Sequence, residues 1–254
     1  MIAVAAVAFV AGLVLGSFIT VLAYRLPRGE NWIAGRSRCP GCGNEIRARD
    51  NIPVVSWLML RGRCPSCGEP ISPRYPLTEL GTGLLFALTV LILDTDDAAE
   101  LALGLIFCAV LVTITLTDLD LRIIPNKVLL FGAVAAIAIV AISDPDDLVE
   151  RGIAALAAGG FLFLTALAYP RGMGMGDAKL VGMMGLYLGR AVAPALLIGL
   201  LMGALVGGFL IARHGSAARK QAVPFGPFLA FGGVIGLWFG DDIVEWYEDN
   251  FLGG

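Results

Sequence analysis

Eight apolar runs, at residues 2–24, 77–93, 100–117, 128–143, 151–169, 178–189, 191–212 and 225–240, leave this 254-residue chain little choice of solvent. Hydrocarbon offers backbone groups no hydrogen bonds, so a segment that crosses it must close its own as a helix, which takes about 20 residues. Only 15 % of the residues are charged, against about a quarter in an ordinary soluble domain. The expected fold is all-α and polytopic, with about eight transmembrane helices. The sixth run is short, and Arg190 stands between it and the seventh, so that boundary is the least defined. The first run has no basic stretch ahead of it and no small-residue cleavage site behind it, and reads as a retained helix rather than a removable signal.

Charge location sets the orientation. The loops 25–76, 118–127, 170–177 and 213–224, with their flanks, carry every one of the 18 lysines and arginines except Arg151 and Arg190. The loops between them read DTDDAAE, SDPDDLVE and DDIVEWYEDN, almost wholly acidic. Basic loops stay on the cytoplasmic side of a membrane. The expectation is therefore a multi-pass protein of the bilayer with both termini outside and the four basic loops in the cytoplasm. No nucleic-acid partner is expected.

The longest polar segment contains RCPGCGNEIRAR (38–49) and, 25 positions on, RCPSCGEPISPR (63–74). Arg38 pairs with Arg63, Cys39 with Cys64, Cys42 with Cys67, Ile46 with Ile71 and Arg49 with Arg74, which makes a small internal repeat. Two cysteines three apart can face one tetrahedral metal, and the glycine after each pair permits the turn around it. Cys39, Cys42, Cys64 and Cys67 are thus candidate ligands of a structural zinc ion. Redox-active dithiols and paired disulfides are the competing readings, and both suit a reducing compartment poorly. Cys108 lies within an apolar run and reads as packing.

Thirteen of the 21 acidic residues fall in the outer loops or tail and four more in the cysteine loop, where solvated charge explains them. Glu79, Asp118, Asp120 and Asp177 remain, all at the cytoplasmic boundary. Asp118 follows the third run directly, at a helix C-terminus whose dipole disfavours a carboxylate. Asp177 opens the sixth run behind Gly172, Gly174 and Gly176. Two spans separate these aspartates, so they share a membrane face. Aspartate at a helix start is also an ordinary cap, and that reading stands beside a functional one. If the two meet, they can share a proton and act as base and acid on a peptide bond. Midplane carboxylates in a carrier or channel are the alternative of a different class.

Gly174-Met175-Gly176-Asp177 followed by Lys179, DLDLRIIPN from Asp118, the paired knuckles, GSFITVLAYRLPRGE (16–30), DNIPVVSWLMLRGRC (50–64), RYPLTELGTGLLF (74–86) and PFGPFLAFGG (224–233) together resemble the bacterial prepilin leader peptidases, bifunctional aspartyl peptidase/N-methyltransferases of type IV pilus and type II secretion systems. The resemblance implies Asp118 and Asp177 as catalytic residues, with Asp120 the alternative to Asp118, and Gly174, Gly176 and Lys179 as motif support. It implies cleavage of prepilins and pseudopilins after the glycine that ends a short basic leader, at the cytoplasmic face of the bacterial inner membrane. Methylation of the new N-terminus with S-adenosylmethionine would follow. The implied organisation is a first helix at 1–24, a cytoplasmic four-cysteine loop at 25–76 with its nine arginines as the methyl-transfer region, and a membrane-embedded peptidase at 77–254. The implied methyl-transfer region takes in RYPLTEL as well, with Glu79 a candidate residue within it. Arg171 and Lys179 flank Asp177 and serve equally well as inner-face anchors.

Overall fold

The structure is a computed structural model and describes residues 1–32, 37–169, 173–214 and 223–252. The described residues contain helices and turns but no strand, and the chain divides into two compact units, Met1–Asp96 and Asp97–Gly254.

In the first unit, α1 (Ile2–Arg25) and α3 (Arg74–Leu93) pack antiparallel. Gly12 of α1 lies against Gly83, and Gly16 against Glu79, so the two backbones approach closely along one seam. Ala5, Ala8 and Ile19 of α1 and Phe86 and Val90 of α3 are buried. Between them lie the cysteine segment and a short α-helix, α2 (Val55–Met59). Both long helices end on local signals. Pro27 turns α1 into a 3-10 segment closed by Gly29 at φ +70°, and α3 starts directly after Pro73.

The second unit holds α4 (Ala98–Leu121), α5 (Asn126–Ser143), α6 (Asp147–Ala168), α7 (Met175–Leu188), α8 (Val192–His214) and α9 (Gly226–Tyr247). Asp97 caps α4 by accepting the Ala99 N–H at 2.8 Å. Contacts fix the helix directions. Gly132 of α5 meets Val110 of α4 and Met183 of α7. On the α6–α7 seam Gly159 meets Gly182 while Gly185 meets Ala155, so these helices run antiparallel. Gly240 of α9 meets Ala191, just ahead of α8, and Gly232 meets Ala195 of α8, while Gly233 and Gly236 meet Met184 and Leu188 of α7. The last helix is therefore parallel to α7 and antiparallel to α8.

Seven segments among the described residues are long and apolar enough to cross a membrane, and Met175–Arg213 is the longest of them. That segment is not one rod. Gly189, at φ +53° and ψ −133°, ends α7, and after a 3-10 turn through Ala191 the chain returns as α8. The uncertain boundary between the sixth and seventh runs is thus a reversal, and the described residues contain eight apolar helices, of which α7 is the short one. Arg190 fastens the turn to α9 through Asp241, Glu245 and Glu248 at 3.4 to 3.6 Å. Phe107, Leu111, Ile114, Leu180, Met184 and Leu229 fill the core of this unit. Outward apolar side chains such as Ile142 and Leu156 are exposed, as a lipid-facing surface requires.

Candidate active site and cysteine cluster

Asp118 lies in the last turn of α4 and Asp177 in the first turn of α7, and the antiparallel arrangement brings these ends together. Both carboxylates are buried, at 6 % and 8 % exposure. Charged side chains are almost never so buried unless partnered, and each has a backbone amide. Asp118 Oδ2 accepts the N–H of Gly226 at 2.8 Å, and Asp177 Oδ2 accepts the N–H of Gly174 at 3.2 Å. Gly176, the residue before Asp177, packs on Ile124 just beyond the end of α4, so the two carboxylates share one end of the unit.

Three glycine positions make room for this arrangement. A Cβ on Gly226 would sit 2.8 Å from Asp118 Oδ2 and 3.1 Å from its Cγ. Gly176 presses on the Ile124 side chain, which follows the left-handed residue Arg122 that closes α4. Gly174 approaches the Asp177 carboxylate itself, where a Cβ would stand 3.1 Å from Oδ2. Asp177 therefore satisfies an orphan N–H at its own helix start while facing a second acid. The capping reading holds, and it is compatible with a functional one.

Gly226 is the participant that sequence reasoning did not single out. It opens α9 with Pro227 in the first turn, and Pro early in a helix is a start signal visible in PFGPFLAFGG. The dipole argument against Asp118 at a helix C-terminus is answered here, because the positive end of α9 docks on that carboxylate.

The other candidates are placed differently. Asp120 is exposed, unlike the buried pair. Lys179 is exposed and its Nζ donates to Asn126 Oδ1 on α5 at 3.0 Å. Arg171 and Gly172 lie outside the described residues. Asp118 and Asp177 sit at one end of their helices rather than midway, which is not the placement a carrier with midplane acids needs.

In the first unit the two cysteine segments are structural copies. Cys39 N–H bonds Asn44 O at 3.0 Å and Gly43 N–H bonds Cys39 O at 2.8 Å. Twenty-five residues later, Cys64 N–H bonds Glu69 O at 2.8 Å and Gly68 N–H bonds Cys64 O at 2.9 Å. Gly43 and Gly68 both take positive φ, at +72° and +77°. The four sulfurs lie within 4.8 Å of one another, and Cys39 Sγ and Cys67 Sγ are 3.7 Å apart. Thiolates at about 2.3 Å from a tetrahedral ion stand about 3.8 Å apart, so the donor set fits a metal. Proton balance points the same way. The Ser66 and Cys67 amides pull the Cys64 thiol down to about 7. The Glu69 amide also pulls on Cys67, but desolvation and the surrounding thiols push it up to about 12. Four crowded thiols resist ionising together unless a cation sits among them.

Residues 10–93 match the family described as Bacterial Peptidase A24 N-terminal domain, and residues 105–211 match the Type IV leader peptidase family. Among curated relatives, the prepilin leader peptidase/N-methyltransferase of Bacillus subtilis (strain 168) is 35 % identical over 248 residues, covering 96 % of this chain and 98 % of its own length. That of Aeromonas hydrophila is 36 % identical over 280 residues, 96 % of this chain and 93 % of its own. That of Pseudomonas aeruginosa is 32 % identical over 265 residues, 93 % and 90 % respectively. No solved structure matches the chain.

Proposed function

This chain belongs to the type IV leader peptidase family, and from that premise we propose a prepilin leader peptidase and N-methyltransferase of the bacterial inner membrane in which Asp118 and Asp177 cut the leader. One observation carries the assignment of residues: two buried aspartates, remote in sequence, occupy the same end of the second unit.

The chemistry follows from two carboxyl groups that hold one proton between them. The ionised member takes a proton from water as the water oxygen bonds to the scissile carbonyl carbon. The protonated member gives its proton to the amide nitrogen as the carbon–nitrogen bond breaks. One product is the leader with a new carboxylate and the other a mature chain with a new amine, and the shared proton has changed sides. The amides of Gly226 and Gly174 orient the two groups, and a fixed geometry is worth several kcal/mol in such a reaction.

The substrates are prepilins and pseudopilins, cleaved at the cytoplasmic face. Eight apolar runs support a topology with both termini outside, because an even number of crossings returns the chain to its starting side, and the basic loops then face inward. Cys39, Cys42, Cys64 and Cys67 hold a structural zinc ion, since four thiolates leave no open coordination position. The first unit carries methyl transfer, with S-adenosylmethionine supplying the methyl group. A membrane-embedded pilin precursor incubated with the purified protein, with and without S-adenosylmethionine, tests the reading by mass spectrometry. The expected products are a chain cut after the leader glycine and, with the donor, the same chain 14 mass units heavier. An uncut precursor with folded enzyme would refute it.

A further inference from the structure

The first unit contains a buried carboxylate that peptide cleavage leaves unused. Glu79, on the second turn of α3, is 7 % exposed. Its Oε2 accepts the N–H of Val54 at 2.7 Å. The backbone it holds is unusual. Val54 has φ +61° and ψ −49°, and the Val55 N–H bonds the Pro53 carbonyl at 2.6 Å. Pro53, Val54 and Val55 thus form a γ-turn of the positive-φ kind, which is rare and strained. For a β-branched residue such a φ is a genuine outlier.

Strain of this sort survives only where the surroundings over-determine it, and it collects at functional sites. Here the surroundings are specific. The Ser56 hydroxyl, just beyond the turn, accepts the Ile52 N–H at 2.8 Å and donates to the Arg49 carbonyl at 3.0 Å. Trp57 Nε1 donates to the Ile71 carbonyl of the second knuckle at 3.0 Å, and its ring lies against Gly62. Val54 is the joint at which α2, the second knuckle and α3 are tied together, and Glu79 is the tie from α3.

We propose that Glu79 is a positioning residue for methyl transfer: its carboxylate holds the Val54 turn, and the turn sets α2 against the second knuckle in the geometry that methylation needs. This rests on the reading that the first unit carries methyl transfer. It makes no demand on Asp118 or Asp177.

The test uses the full chain in lipid or detergent with a pilin precursor and S-adenosylmethionine, scoring cleavage and methylation separately, together with amide hydrogen exchange over residues 50–60. Glu79→Ala is expected to lower methylation by about tenfold or more, as a misplaced reacting geometry does, while cleavage stays within about twofold. Exchange over 50–60 should quicken. Val54→Gly should methylate like the parent, because glycine takes positive φ without help. The double variant Glu79→Ala with Val54→Gly should recover methylation, and Glu79→Gln should keep it, since its amide oxygen accepts the same N–H. Failure of both rescues, with Val54→Gly alone active, would mean that the carboxylate acts by its charge and overturn the proposal. Unchanged exchange in Glu79→Ala would overturn the clamp itself. Faster exchange with methylation intact would leave the clamp standing but show that methylation does not need it, and so overturn the proposal. Loss of methylation in every variant, the parent included, would instead refute the underlying methyltransferase reading.

Discussion

Asp118 and Asp177 reach the same spot by opposite routes, one closing a helix and the other opening one. Neutralising either should remove the base or the acid of the pair. Asp118→Asn and Asp177→Asn are each expected to lower cleavage on the order of 10³-fold, with membrane insertion retained, as read by precursor processing in vesicles. Asp120→Asn, an exposed change, should keep most activity, and a dead Asp120→Asn beside an active Asp118→Asn would reassign the pair. Gly226 allows a finer trial. Its Cβ would lie 2.8 Å from Asp118 Oδ2, so Gly226→Ala must push the carboxylate or the start of α9 aside. A displacement near 1 Å at a reacting group costs about 10²-fold, and that is the loss expected in kcat. Gly208→Ala, which meets nothing within 4 Å, is the control. The two aspartates were legible in the sequence because their distance from apolar runs is written in residue order. Gly226 was not, because only tertiary docking decides which helix start lands on Asp118, 108 residues away.

At the scale of elements, the α6–α7 seam depends on the absence of side chains. A Cβ at Gly185 would meet the Ala155 backbone at 2.5 to 2.6 Å, whereas one at Gly160 would meet nothing. Gly185→Ala should destabilise by about 1–3 kcal/mol, the usual cost of overpacking. Gly160→Ala should be neutral or stabilising by a few tenths, through lost freedom of the unfolded chain. Thermal unfolding in one detergent would compare them. Asp177 rides on α7, so Gly185→Ala should also weaken cleavage. The knuckles make a second element-level trial. Chelation, or a Cys→Ser change at position 39, 42, 64 or 67, should lower folded yield before it changes where the leader is cut, as the proposed structural metal, whose binding couples to folding, requires. One metal per folded chain is the expected stoichiometry. The knuckles were readable at sequence level because their hydrogen bonds close within five residues and recur at a spacing of 25. Hydropathy likewise outlined the long helices. It could not decide whether Met175–Arg213 was one rod or two. Gly189 does, by taking a backbone conformation that an apolarity profile does not record.

In the proposed topology the loops sort their charge by side, and this decides where the proposed catalytic pair would work. With every lysine and arginine but Arg151 and Arg190 in or beside the four basic loops, the reverse orientation would carry those cations across the membrane and leave the acidic loops inside. A membrane-impermeant maleimide reads the outcome directly. Cys39, Cys42, Cys64 and Cys67 report on the basic side, and Cys108, fully buried in α4, should stay silent. A cysteine introduced at exposed Ser143, where α5 meets the acidic loop, reports on the other. Intact cells should label Ser143→Cys and leave the parent protein unlabelled, and permeabilised cells treated with a chelator should label both. The opposite pattern would put the ends of α4 and α7 that hold Asp118 and Asp177 outside. A leader that is still cytoplasmic when cut could not then reach them, however well the two carboxylates were placed.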